Sequence, residues 1–194
     1  MDKKTFYVCS YGGSGSKMLC HALSQFGNVR HIHSRNPPDN LEYIGNEHGG
    51  NTYHEWFNGI KIPDNELQKY YVIYIYRNPS FSILSRFYAP QHLLHIQSNA
   101  NIKLQDILDT SEDLYKIREF YDNYTKPNEN RNYKIYSIKY EEIFDKQDEL
   151  SRLFGIGKLN LVNTSKRTTT DKQIDVVYSG LIDIMNKNEF IMIN

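Results

Sequence analysis

The sequence has little cysteine: Cys9 and Cys20 are the only two in 194 residues. Two cysteines cannot build a disulfide framework, and they lack the spaced partners of a zinc site. Net charge is absent too, with 23 basic residues against 23 acidic. A dedicated nucleic-acid binder normally carries a basic excess, so that class is set aside, although a local basic pocket for one anion is not. No apolar run approaches the roughly 20 residues that cross a bilayer. The start, Met1-Asp2-Lys3-Lys4, leads into a strand-like segment and not into the apolar stretch of a signal peptide. There is no internal repeat and no long low-complexity linker. What remains is a single domain over residues 1–194, expected to be soluble, intracellular and cytoplasmic, in a reducing setting.

The pattern that is present alternates strands with helices. Residues 5–9 (TFYVC) are β-prone and run into a Gly/Ser loop over 10–16. Residues 17–26 have helical spacing of Met18, Leu19, Ala22, Leu23 and Phe26, with Gly27-Asn28 as the stop. A short strand over 29–33 precedes a loop over 34–40 that contains Pro37-Pro38. Residues 41–63 read mostly as loop, and 64–69 as a short helix. The run 70–76 (YYVIYIY) is short, aromatic and β-branched with no polar alternation, as expected of a parallel strand buried on both faces. Helices are expected over 80–88, 104–108 and 112–124, a strand over 133–138, and helices over 140–145, 148–154 and 171–186. The expectation is an α/β fold with a mainly parallel central sheet flanked by helices. Ligands of such sheets sit at the carboxyl ends of the strands, which points to the segments after Cys9, His33 and Tyr76.

The first of these, Ser10-Tyr11-Gly12-Gly13-Ser14-Gly15-Ser16-Lys17, has the arrangement of an anion-binding loop. Glycines let the backbone approach an anion and turn its N–H groups toward it. A helix N-terminus adds the positive end of its dipole, and Ser14, Ser16 and Lys17 add donors. The ATPase pattern G-x-x-x-x-G-K-[ST] fails here. Laid on Lys17, it needs Gly at Tyr11, Gly at Ser16 and Ser or Thr at Met18. The missing hydroxyl after the lysine matters most, because it coordinates Mg²⁺ in that class. Strand 70–76 ends in Arg77-Asn78 and not in a metal-holding Asp, so the loop reads as an anion site without a metal.

The second segment, Tyr74-Ile75-Tyr76-Arg77-Asn78-Pro79 through Ser85, resembles the 3′-phosphate motif of the sulfotransferases that use 3′-phosphoadenosine 5′-phosphosulfate (PAPS). Arg at a strand end offers a planar fork of donors to a phosphate, and a Ser on the next helix adds a hydroxyl. Arg77 and Ser85 fall on those positions. The loop at 10–16 is similar to the family's 5′-phosphosulfate loop. Residues 136–143 (YSIKYEEI) resemble its strand leading into a Tyr-Glu-Asp-Leu helix start, and 150–156 its Leu-x-x-Phe-Leu-Gly-Leu segment. The resemblance spans about residues 5 to 156 in the family's order. It implies a P-loop-type fold, PAPS as donor, PAP as product, and a hydroxyl acceptor such as a carbohydrate, tyrosine or small alcohol. Gly12, Gly13, Ser14, Gly15, Ser16, Lys17, Arg77 and Ser85 would form the nucleotide site, with no metal. Arg167, and less so Lys166, resembles the late basic segment that closes over the 3′-phosphate. The chain is shorter than most relatives, which implies an acceptor pocket that is open or completed by a second subunit of a homodimer.

The family's loop carries Lys or Arg where this chain has Gly13. Two readings follow: Lys17 takes over the charge-stabilising role, or the chain is a silent PAP/PAPS-binding module. A P-loop kinase using ATP and Mg²⁺ is the alternative of another class. For the general base, strand alternation puts His31 and His33 on one side, and His33 lies nearest the carboxyl end. His33 is the first choice, with Arg35 nearby as an anion contact and Glu47, His48 and His54 as runners-up. His92 and His95 could line the acceptor mouth. The histidine spacing matches no common zinc framework.

Overall fold

The structure is a computed structural model, described over residues 4–44, 52–53, 56, 59–88, 101–165 and 169–194. Its centre is a six-stranded sheet in the order β3-β2-β1-β4-β5-β6. The strands are β1 (Lys4–Cys9), β2 (Gly27–Ile32), β3 (Thr52–Tyr53), β4 (Tyr70–Tyr76), β5 (Ile135–Lys139) and β6 (Ile191–Ile193). The first five run parallel and β6 pairs antiparallel with β5. The helices are α1 (Ser16–Leu23), α2 (Pro79–Tyr88), α3 (Leu104–Thr110), α4 (Ile117–Thr125), α5 (Gln147–Leu153), α6 (Lys172–Val177) and α7 (Ser179–Lys187). Two 3₁₀ turns, Asp64–Lys69 and Tyr140–Glu142, lead into β4 and out of β5. The result is one α/β domain with a mostly parallel sheet covered on both faces.

Side-chain alternation distributes β1 and β4 between two cores. Phe6, Val8, Ile73 and Ile75 join Leu19, Leu150 and Phe154 under α1 and α5. Tyr7, Cys9, Val72, Tyr74 and Tyr76 join Ile83, Phe120, Tyr124 and Ile174 under α2, α4 and α6. In the second core Tyr74 stacks on Tyr124 at 4.6 Å. Trp56 Nε1 donates to Tyr124 Oη, which donates to the Ser34 carbonyl. Each large side chain buried this way stabilises the fold by roughly 1.5–3 kcal/mol.

Several expected boundaries move. The first helix ends at Leu23, not residue 26, and Gly27 opens β2. Gly27 pairs with Lys4, and a Cβ there would stand 2.3 Å from the Lys4 carbonyl oxygen, so the glycine serves close strand approach. The region 41–63 holds the short β3 and an antiparallel bridge between Glu42 and Lys61. The expected helix over 112–124 begins only at Ile117, where Asp113 accepts from the Ile117 and Arg118 N–H groups. Of residues 140–145, Tyr140–Glu142 form a 3₁₀ turn and 143–145 an irregular turn, not an α-helix. The helix expected over 171–186 is two helices broken at Tyr178, whose hydroxyl donates to Asp113. Strand β6 was not expected at all.

The turn after β5 is tied by Glu142, which pairs with Lys139 at 2.9 Å and with Lys146. Hydrogen bonds from Lys139 first, then Lys146, hold its carboxyl below the usual range. A lowered carboxylate pKa contributes stability above the ordinary value that is lost as pH falls through the folded value. Glu142→Gln is therefore expected to lower the melting temperature slightly at pH 7 and not at about pH 3. Equal losses at both pH values would contradict the ion-pair account.

Candidate anion-binding site

Strand β1 has β2 on one side and β4 on the other, so the chain reverses its direction of travel across the sheet at β1. The carboxyl ends of the strands at such a reversal are the place where open α/β sheets hold ligands. The loop 10–15 and Arg77 both emerge there.

The loop turns on three glycines with positive φ, Gly12 at 105°, Gly13 at 69° and Gly15 at 79°. Gly15 caps α1 in the left-handed conformation, and the helix starts at Ser16 with no acidic residue in its first turn. An anion there meets the positive end of the helix without carboxylate competition. A Cβ at Gly13 would lie 2.8 Å from both Cβ and Oγ of Ser85, and one at Gly15 would lie 2.4 Å from the Tyr140 ring. The loop is thus pressed against α2 and the turn after β5, and its contribution to a ligand is mainly backbone.

Asn78 and Pro79 set the second element. The Asn78 side chain accepts from the Ser80 N–H at 2.8 Å, an N-cap, and Pro79 occupies the first helical position where its missing N–H costs nothing. Arg77 is only 9% exposed. Its guanidinium lies between two aromatic rings, 4.3 Å from the Phe81 centroid and 4.4 Å from that of Tyr140. Nη1 donates to the Gly13 carbonyl at 3.4 Å and Nη2 to Ser165 Oγ at 3.2 Å. Glu141 accepts from the Asn78 N–H at 2.9 Å. Three segments far apart in sequence, 10–16, 77–85 and 140–141, therefore meet at one place.

Beneath the loop lies a buried polar chain. Ser10 Oγ donates to Ser16 Oγ at 2.8 Å, and Ser16 Oγ is 2.8 Å from His31 Nε2. His33 Nδ1 is 2.7 Å from the Ser10 carbonyl oxygen. A carbonyl can only accept, so Nδ1 carries the proton and Nε2 is the basic nitrogen of the neutral ring. The His31 and His33 rings lie 4.4 Å apart, as strand alternation leads one to expect, and are 9% and 5% exposed.

Of the residues singled out in the sequence, Gly12, Gly13, Ser14, Gly15, Ser16, Arg77 and Ser85 come together. Lys17 stands on the first turn of α1 and is exposed to solvent. Arg35 pairs with Glu119 at 3.6 Å. Glu47, His48, His54, His92, His95, Lys166 and Arg167 lie outside the described residues. Sequence reasoning gave no individual role to Ser10, Ser82, Arg86 or Tyr140. Ser82, Ser85 and Arg86 share one face of α2 by i, i+3, i+4 spacing, a signal that was there to be read. Tyr140 had none beyond its place in the YEE segment.

Cys9 and Cys20 are free and buried. Burial raises both thiols, Cys20 to about 12, which suits packing and not nucleophilic chemistry. Among the described residues no group of three or more His, Cys, Asp or Glu side chains could hold a metal ion, and no helix is long and apolar enough to cross a membrane. A groove of about 910 Å³ along α4, lined by residues including Asn36, Leu114, Glu119 and Arg131, shares no lining residue with the loop. No known family, curated protein or solved structure matches this chain in sequence or fold comparison.

Proposed function

We propose that this chain is a sulfotransferase of the P-loop-type fold, which binds PAPS at the loop and Arg77 and sulfates a hydroxyl acceptor. The observation that supports the reading most is the meeting of the Gly/Ser loop with Arg77 and Ser85. The two segments that resemble the family's phosphosulfate and 3′-phosphate motifs are 64 residues apart yet share contacts at Gly13. Their donors suit two anionic groups on one ligand, and the glycines put no side chain at positions 12, 13 and 15.

PAPS supplies an activated sulfuryl group, and PAP and the sulfated acceptor are the products. The protein's work in such a transfer is positioning and charge stabilisation. The loop backbone and the start of α1 hold the 5′ anion. Arg77, preset between the Phe81 and Tyr140 rings, and Ser85 hold the 3′-phosphate. His33, fixed as the Nδ1–H tautomer by the Ser10 carbonyl, accepts the acceptor's hydroxyl proton at Nε2.

Transfer of label from PAPS to a panel of carbohydrate, tyrosine and small-alcohol acceptors, with chelator present, tests this reading. Label should pass to at least one class. His33→Ala should lower kcat by about 100-fold or more, within the usual range for a general base, with PAP affinity unchanged. Full activity in that variant would place the base elsewhere. PAP binding with no transfer to any class would favour a silent binding module.

A further inference from the structure

The loop has glycine at both positions, 12 and 13, that approach α2. The space a side chain would take is already filled. Ser85 occupies that of Gly13, and the guanidinium of Arg86 occupies that of Gly12, where a Cβ would fall 1.9 Å from Nη2 and 2.4 Å from Cζ. Arg86 is 1% exposed, and its Cζ sits 5.1 Å from the Tyr11 ring centroid. Ser82, one turn earlier on the same face, reaches Ser14 Oγ at 3.4 Å. One face of α2 therefore backs the whole apex of the loop with two hydroxyls and a guanidinium.

We propose that Arg86 supplies the positive charge of the anion loop, from behind its backbone, to the 5′-phosphate or phosphosulfate held in front. This rests on the PAPS reading of the site. It answers where the cation comes from in a loop whose Gly13 cannot carry one. Any side chain at 13 would meet Ser85, at a φ that side chains rarely adopt. Lys17, the other source, is exposed on α1, where solvent screens its charge more strongly. Burial lowers the Arg86 pKa to about 10, offset in part by Tyr11, so it remains a cation at neutral pH. A buried charge acts over one backbone thickness far more strongly than the same charge in water.

The test is calorimetric titration with two probes, PAP and adenosine 3′-monophosphate, which lacks the 5′-phosphate. The proteins are wild type, Arg86→Gln, Arg86→Lys and Lys17→Ala, each with its melting temperature. Arg86→Gln should weaken PAP by about 10- to 50-fold, as expected for removal of a buried charge near an anion, and leave adenosine 3′-monophosphate within about twofold. Arg86→Lys should show the same selectivity with a smaller loss, and it carries the test if the glutamine variant does not fold. Equal losses for both probes would make Arg86 a structural residue only. A selective loss in Lys17→Ala, with none at Arg86, would assign the charge to Lys17. Wild type that binds neither probe overturns the nucleotide reading itself, and Arg86's role with it.

Discussion

Arg77→Ala is expected to weaken PAP binding by about 100-fold or more while the protein stays folded. Truncating one partner of a buried, hydrogen-bonded charge pair costs about 2–5 kcal/mol, and each 1.4 kcal/mol is tenfold in affinity. Arg77 meets the conditions for the upper part of that range. It is 9% exposed, held flat between the Phe81 and Tyr140 rings, and already linked to the loop through the Gly13 carbonyl. Arg77→Lys keeps the charge and loses the planar fork and much of the stacking, so it should fall between wild type and alanine. Calorimetric titration beside a thermal melt separates binding from stability. An alanine variant that binds PAP within threefold of wild type would remove Arg77 from the site.

Gly13→Ala should harm stability as well as binding. At φ 69° an L side chain costs about 1–2 kcal/mol, and crowding a packed site adds about 1–3 kcal/mol. The crowding is unavoidable, because the new methyl would meet Ser85 Cβ at 2.8 Å and the Ser82 Cα at 3.2 Å, both fixed parts of α2. For a domain of this size the sum lowers the melting temperature by about 4–20 °C. To relieve the clash the loop must move from α2, separating it from Ser85 and Arg77, so PAP affinity falls with it. A variant that melts within two degrees of wild type and binds PAP normally would show that the loop does not pack as described.

How far the sequence led differs from element to element. Residues 70–76 are β4 to the residue, because a strand covered on both faces writes its burial as an unbroken apolar run. The loop and Arg77-Asn78-Pro79 were legible for a similar reason, since glycine conformation and N-capping are local chemistry. The break at Tyr178 was not, because it depends on a hydroxyl reaching Asp113, 65 residues away. Strand β6 is three residues long and gains its identity only by pairing with β5. In the site the same division holds. That His31 in β2 and His33 just after it share one side follows from alternation, but their link through Ser10 and Ser16 exists only once β1 and α1 are folded beside β2. Arg86 follows Ser85 directly and looks like an ordinary helix cation. Only the approach of α2 to Gly12 gives it a place in the site.

The measurement that bears most directly on the whole account is titration of the wild-type protein with PAP in chelator, set against ATP with Mg²⁺. The account predicts that PAP binds without metal and that ATP–Mg²⁺ binds weakly or not at all, because the loop lacks the hydroxyl after Lys17 and the proposed role of Arg77 is to hold a 3′-phosphate. Binding of ATP–Mg²⁺ with no binding of PAP would contradict it and make the chain a kinase-type nucleotide binder.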